Sequence, residues 1–138
     1  MLTSSRFAVA IHALIVLARN SGQGPVCSSI IASSVHTNPV VIRRLMAELE
    51  RAGLVQSFAG RSGGFSLQRD ATAISLSDIY GAVEDGSVFR MHKLDADCAC
   101  PVGAQLGKIL APSLKAAETA MTASLGTTSL AHLAQSIH

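Results

Sequence analysis

The sequence predicts a mainly α fold with a small β wing: a winged helix-turn-helix DNA-binding domain followed by a long dimerisation helix. Three stretches carry that expectation. Residues 25–53 read as two helices joined by a tight turn, and residues 54–67 as two short strands around a glycine-rich tip. Residues 102–125 repeat apolar side chains at helical spacing over an unusually long run.

Each element follows from local chemistry. Ser4 or Ser5 supplies a cap for a first helix reaching about Arg19, with Phe7, Ala10 or Ile11, Leu14, Leu17 and Ala18 on its buried face. The run Asn20-Ser21-Gly22-Gln23-Gly24-Pro25 ends it, because glycine and proline punctuate helices. Residues 25–35 then predict the first helix of the motif, residues 36–39 the turn, and residues 40–53 the second helix, closed by Gly53. Strands at residues 54–58 and 64–67 flank the tip at 59–63, where glycines permit backbone angles other residues resist. After a connector at 69–73, Ser75-Leu76-Ser77-Asp78 reads as a capping box, with Asp in the usual Glu/Gln position, opening a helix to about Glu84.

Residues 85–101 show neither helical nor strand period and hold two of the three cysteines. The long helix is expected from about Val102 to Leu125, with Leu106, Ile109 or Leu110, Leu114, Ala117, Met121 and Leu125 as its stripe. Pro112 inside it predicts a kink or a break into two helices, since proline removes one hydrogen bond and clashes with the preceding turn. Thr128 is the expected cap of a last short helix carrying Leu130, Leu133 and Ala134. The division that follows is a DNA-binding domain at 1–85, a sensor or linker loop at 86–102, and the dimerisation and C-terminal helices at 103–138.

Composition agrees with an ordered chain that needs a partner. The 138 residues are 49% apolar, which excludes intrinsic disorder, and only 14% charged, which leaves an apolar face for a partner to cover. No apolar run approaches the ~18 residues of a membrane span. Residues 7–18 are apolar but short, interrupted by His12, and lack a signal-cleavage pattern, so a cytoplasmic protein with no membrane partner is expected. The net charge of +2 says little alone. Its distribution says more: Arg43, Arg44, Arg51, Arg61 and Arg69 face only Glu48 and Glu50 between residues 38 and 69, the electrostatic footprint of a DNA module.

In a helix-turn-helix the second helix enters the major groove led by its N-terminal residues. Here these are Thr37, Asn38, Val40 and Val41, then Arg43 and Arg44, while Ile42, Leu45, Met46 and Leu49 face inward. The arginines can pair with guanine edges or with phosphate. Arg61 at the wing tip suits a minor groove or phosphate, and Ser28 and Ser29 offer hydroxyl and backbone N–H groups to phosphate.

Residues 5–12 (Ser-Arg-Phe-Ala-Val-Ala-Ile-His), 48–55 (Glu-Leu-Glu-Arg-Ala-Gly-Leu-Val), 60–65 (Gly-Arg-Ser-Gly-Gly-Phe) and 74–84 (Ile-Ser-Leu-Ser-Asp-Ile-Tyr-Gly-Ala-Val-Glu) together resemble the Rrf2 family of bacterial winged-helix regulators. The resemblance covers nearly the whole chain in order. It implies a transcription regulator, expected to repress, acting as a homodimer through the long C-terminal helix on a palindromic double-stranded DNA operator.

Several members of that family hold an iron–sulfur cluster in the loop before the long helix with three cysteines, and here the sequence departs. The loop offers only Cys98 and Cys100, one residue apart, and Cys27 stands far away at the start of the motif's first helix. A cluster normally takes four ligands. No cofactor is therefore expected, with an iron–sulfur cluster or a mixed metal site from His92, Asp95, Asp97, Cys98 and Cys100 as the alternative. Thiol redox control through Cys98 and Cys100 is the favoured sensing chemistry, with Cys27 a further redox candidate that reads more plainly as a half-buried loop cysteine. Cys100 precedes the long helix, whose N-terminal dipole favours thiolate. Cys98 is its nearest partner, although a bond so short in sequence is strained and one between protomers is equally open. Inert cysteines remain the plain alternative.

His12 reads as a packing residue, His36 as a phosphate neighbour in the turn, and His132 and His138 as surface residues. No Ser–His–Asp order, P-loop or dinucleotide fingerprint is present, so no enzyme is expected. A small metal-binding protein with an idle winged helix is the alternative function.

Overall fold

The computed structural model of the chain describes residues 5–84, 86, 88, 89, 91, 92 and 99–138. The elements run α1 (Arg6–Arg19), α2 (Ser28–Val35), α3 (Pro39–Arg51), β1 (Val55–Phe58), β2 (Gly64–Leu67), a 3-10 turn (Ala71–Ala73), α4 (Leu76–Val83), α5 (Pro101–Leu125) and α6 (Leu130–Gln135). They fall into two units, one of residues 1–84 with 125–138, the other of residues 85–124.

The first unit forms around α1, whose Ala10, Ala13, Leu14 and Leu17 are buried. Against them lie Ile31 and Ala32 of α2, Ile42, Leu45, Met46 and Leu49 of α3, Ile79 and Val83 of α4, and Leu130 of α6. Ala13 was not foreseen on that face, because alanine weighs little in an apolar count. Burying the leucine, isoleucine and methionine side chains contributes roughly 1.5–3 kcal/mol each and holds α3 against α1. α6, grouped in the sequence with the long helix, packs in this first unit against α1 and the 3-10 turn.

β1 and β2 are antiparallel, with Val55 opposite Leu67 and Phe58 opposite Gly64. The sequence misses a third participant. Val26, expected inside a helix from residue 25, instead forms a bridge with Phe65, exchanging N–H···O bonds of 2.9 and 2.8 Å. That pairing holds residue 26 extended, so α2 begins only at Ser28, with Cys27 as its N-cap residue in an extended conformation. The approach is so close that a Cβ on Gly64 would lie 2.3 Å from the Val26 carbonyl oxygen.

Ser75 and Asp78 form the expected capping box. The cap of α6 moves by one residue. Ser129, not Thr128, accepts from the His132 N–H. The Thr128 carbonyl accepts from the Leu76 N–H (3.0 Å) and the Leu130 N–H donates to the Ile74 carbonyl (2.8 Å), a bridge that keeps Ser129 extended and starts the helix at Leu130. Ser5 occupies the cap position of α1 without a side-chain capping bond.

In the second unit, α5 runs as one helix of 25 residues with Pro112 inside it. The chain is not divided there, so a break into two helices does not occur; a single missing N–H leaves the flanking hydrogen bonds to carry the helix on. None of its residues is buried. Its half-buried positions include Leu106, Leu110, Leu114, Met121 and Leu125, which settles the choice between Ile109 and Leu110. Ile109 is 68% exposed and Val102 66%. Among the described residues, no helix is long and apolar enough to cross a membrane.

Candidate nucleic-acid interface

The turn between α2 and α3 is built from two residues that sequence reasoning singled out for other reasons. His36 closes α2 in the left-handed conformation, φ 64°, sparsely populated for a residue with a side chain. Asn38 is the N-cap of α3, its side chain accepting from the Val40 N–H at 2.8 Å. Pro39 follows in the first turn, where its missing N–H costs nothing. Thr37 is half-buried, and Val40 and Val41 are exposed.

α3 is strongly two-faced. Ile42, Leu45, Met46 and Leu49 are buried as expected, which leaves Arg43, Arg44 and Ala47 exposed on the other side. The structure brings two predicted contacts together: an Arg43 Nη donates to the Ser28 hydroxyl at 3.2 Å. That bond aligns a guanidinium with the opening of α2, where N–H groups without helical partners attract anions. Ser29 is tied to Cys27, hydroxyl to thiol, at 3.1 Å. Arg61 is exposed at the wing tip, in a loop closed by the Gly63 N–H to Gly60 carbonyl bond of 3.1 Å.

Both carboxylates of α3 are held by other elements, a feature the sequence does not disclose. Glu50 accepts from the Ser57 hydroxyl of β1 at 3.1 Å. Glu48 forms an ion pair with Arg6, the first residue of α1. The separation between Arg6 and Glu48 puts this pair beyond any local spacing rule.

The Cys27 thiol is held below its ordinary range by the Ser29 hydroxyl and then by the backbone N–H of Ile30, with partial burial opposing them. Cys100, exposed before Pro101, is also lowered, here by the N–H groups of Gly103 and Val102 in the opening turn of α5. Cys98, Asp95 and Asp97 lie outside the described residues, which leaves His92 and Cys100 of the candidate ligands. Among the described residues no three His, Cys, Asp or Glu side chains gather. One chain offers two loop thiols where a cluster takes four ligands, so the donors do not fit a thiolate-held cluster. His12, exposed rather than packed inside, bonds the Ser34 hydroxyl at 2.9 Å.

A model of the Rrf2 family, described as iron-dependent transcriptional regulators, matches residues 3–136. The chain belongs to the Rrf2 family. Among Rrf2-like relatives, YwnA of Bacillus subtilis (strain 168), which carries the name of an HTH-type transcriptional regulator, is 38% identical over 128 residues, spanning 92% of both chains. A crystal structure described as that of a DNA-binding protein is 36% identical, with a TM-score of 0.74, over 94% of this chain and 98% of that one. The oxidised form of Staphylococcus aureus CymR is 27% identical with a TM-score of 0.67, over 97% and 96% of the two chains. The protein is thus a DNA-binding transcription regulator of the Rrf2 family, with the winged helix that its sequence predicts, and not an enzyme.

Proposed function

We propose that the protein is a cytoplasmic repressor that binds a palindromic operator in double-stranded DNA as a homodimer. The observation that carries this is the exposed edge of α3, where Arg43 joins Ser28 and Arg44 stands beside it, opposite a fully buried apolar face. Arg43 and Arg44 enter the major groove behind Thr37, Asn38 and Val40. Ser28 and Ser29 meet phosphate, and Arg61 meets the neighbouring groove or backbone. The half-buried leucine stripe of α5 packs on its twin, setting two α3 helices about 34 Å apart, one turn of duplex.

Control is by thiol oxidation in the sensor or linker loop at 86–102. Two thiols, Cys100 with Cys98 of the same chain or of the twin, lose two electrons and two protons to an added oxidant and form a disulfide. The lowered Cys100 thiol supports this reading, since thiolate is the reacting form. Cys27, at the opening of α2, is the second thiol that oxidation could reach. No resident cofactor takes part.

The test is binding of the metal-free protein to the duplex upstream of its own gene, reduced and then mildly oxidised. Arg43→Ala and Arg44→Ala should each weaken binding by about 1–3 kcal/mol. Unchanged affinity in both variants overturns the interface. Binding that is lost on oxidation and regained with reductant supports the thiol switch; equal binding in both states removes it while leaving the DNA reading intact.

A further inference from the structure

Arg6 begins α1 and meets two other elements at once. Its Nε and one Nη donate to the Val83 carbonyl at 3.3 and 3.1 Å, on the last residue of α4, and the same Nη pairs with the Glu48 carboxylate. The two side chains of that pair are 47% and 26% exposed, so neither is free of solvent. The pair therefore adds little to stability. What it does is decide where a negative charge lies on the DNA-facing helix.

Glu48 stands four residues after Arg44 and three before Arg51, the spacings at which helical side chains meet. α3 carries three arginines and two glutamates, and Glu50 is already engaged by Ser57. Glu48 is thus the carboxylate of α3 that lies at helical spacing from Arg44 and would compete with phosphate for it if released from Arg6. We infer that Arg6 is a positioning residue for DNA binding: by holding the Glu48 carboxylate against the end of α4, it keeps Arg44 available to DNA. The inference rests on Arg44 meeting DNA, as proposed above. Loss of Arg6 leaves Glu48 to neutralise Arg44 and to repel the phosphates beside it.

The experiment uses the full chain and the duplex upstream of its own gene, with affinity followed across about 50–200 mM salt and melting temperatures measured alongside. Four variants are compared with the parent: Arg6→Gln, Glu48→Gln, Arg6→Gln/Glu48→Gln, and Arg44→Gln. Arg6→Gln should bind about tenfold more weakly, the size of one weakened charged contact, with a salt slope shallower by about one per protomer. The double variant should recover to within about twofold of the parent, although it still lacks both bonds to Val83. A merely structural Arg6 predicts no such recovery. A double variant as weak as Arg6→Gln overturns the inference, as does an Arg6→Gln protein that binds normally while Arg44→Gln does not. If Arg44→Gln itself binds normally, the assignment of Arg44 to DNA fails and takes this inference with it.

Discussion

The Cys27 thiol feels the Ser29 hydroxyl first, the N–H of Ile30 next, and partial burial in the opposite sense. A lowered pKa means the thiolate persists to lower pH than in an ordinary thiol, whose midpoint is about 8.5. In a Cys98→Ser/Cys100→Ser protein, the rate of alkylation by iodoacetamide should therefore rise with pH through a midpoint lower than that of an unstructured cysteine peptide measured alongside. Ser29→Ala should move the midpoint up, and an identical midpoint in both proteins would falsify the role given to the hydroxyl. Gly64 offers a test of packing at the same scale. It holds φ at 148° with Val26 against it, so Gly64→Ala should cost about 2–3 kcal/mol in a denaturant melt. The acidic ties of α3 were illegible in the sequence for a plain reason: Arg6 lies far from Glu48 along the chain, and only folding makes them neighbours.

α3 was legible almost to its ends, because an apolar face at Ile42, Leu45, Met46 and Leu49 closed by a terminal glycine is decided within its own residues, while the capping role of Asn38 appears only in the fold. Its cap separates two roles of Asn38 that a single deletion would confuse. Asn38→Ala should lose about 1 kcal/mol of stability with the bond to the Val40 N–H, whereas Asn38→Ser keeps an oxygen there and should melt like the parent. A drop in DNA affinity for the serine variant then reports contact rather than capping. The first turn of α2 and the cap of α6 were misplaced by comparison. Both are set by backbone pairing with distant segments, Val26 with Phe65 and Ser75 with Ser129, and no periodicity within a helix encodes a bridge to another strand. The candidate interface was read from α3 and the wing for the reason α3 was: its arginines are what remains after the buried face is assigned.

At the scale of the whole molecule, α5 is a 25-residue helix with no buried residue, in a chain that is only 14% charged. If two copies cover each other, Leu110→Glu/Leu114→Glu should sediment as a monomer while keeping the helical content of the parent, and it should lose cooperative binding to a two-half-site duplex. A variant that still sediments as a dimer would move the interface elsewhere. The stripe was visible in sequence; its unburied state in a single chain was not, because periodicity reports which side of a helix is apolar and not what lies against it.

The first unit closes only when its last segment arrives. Leu130 is fully buried in the core that supports α3, and its N–H and the Thr128 carbonyl bind residues on either side of Ser75. On a ribosome, the recognition helix and wing emerge well before that leucine does. The nascent chain thus carries the residues proposed to read DNA early and buries Leu130 beneath them late, after α5 has been made. Completion of the core beneath α3 is thereby tied to synthesis of the whole of α5, the segment proposed for pairing.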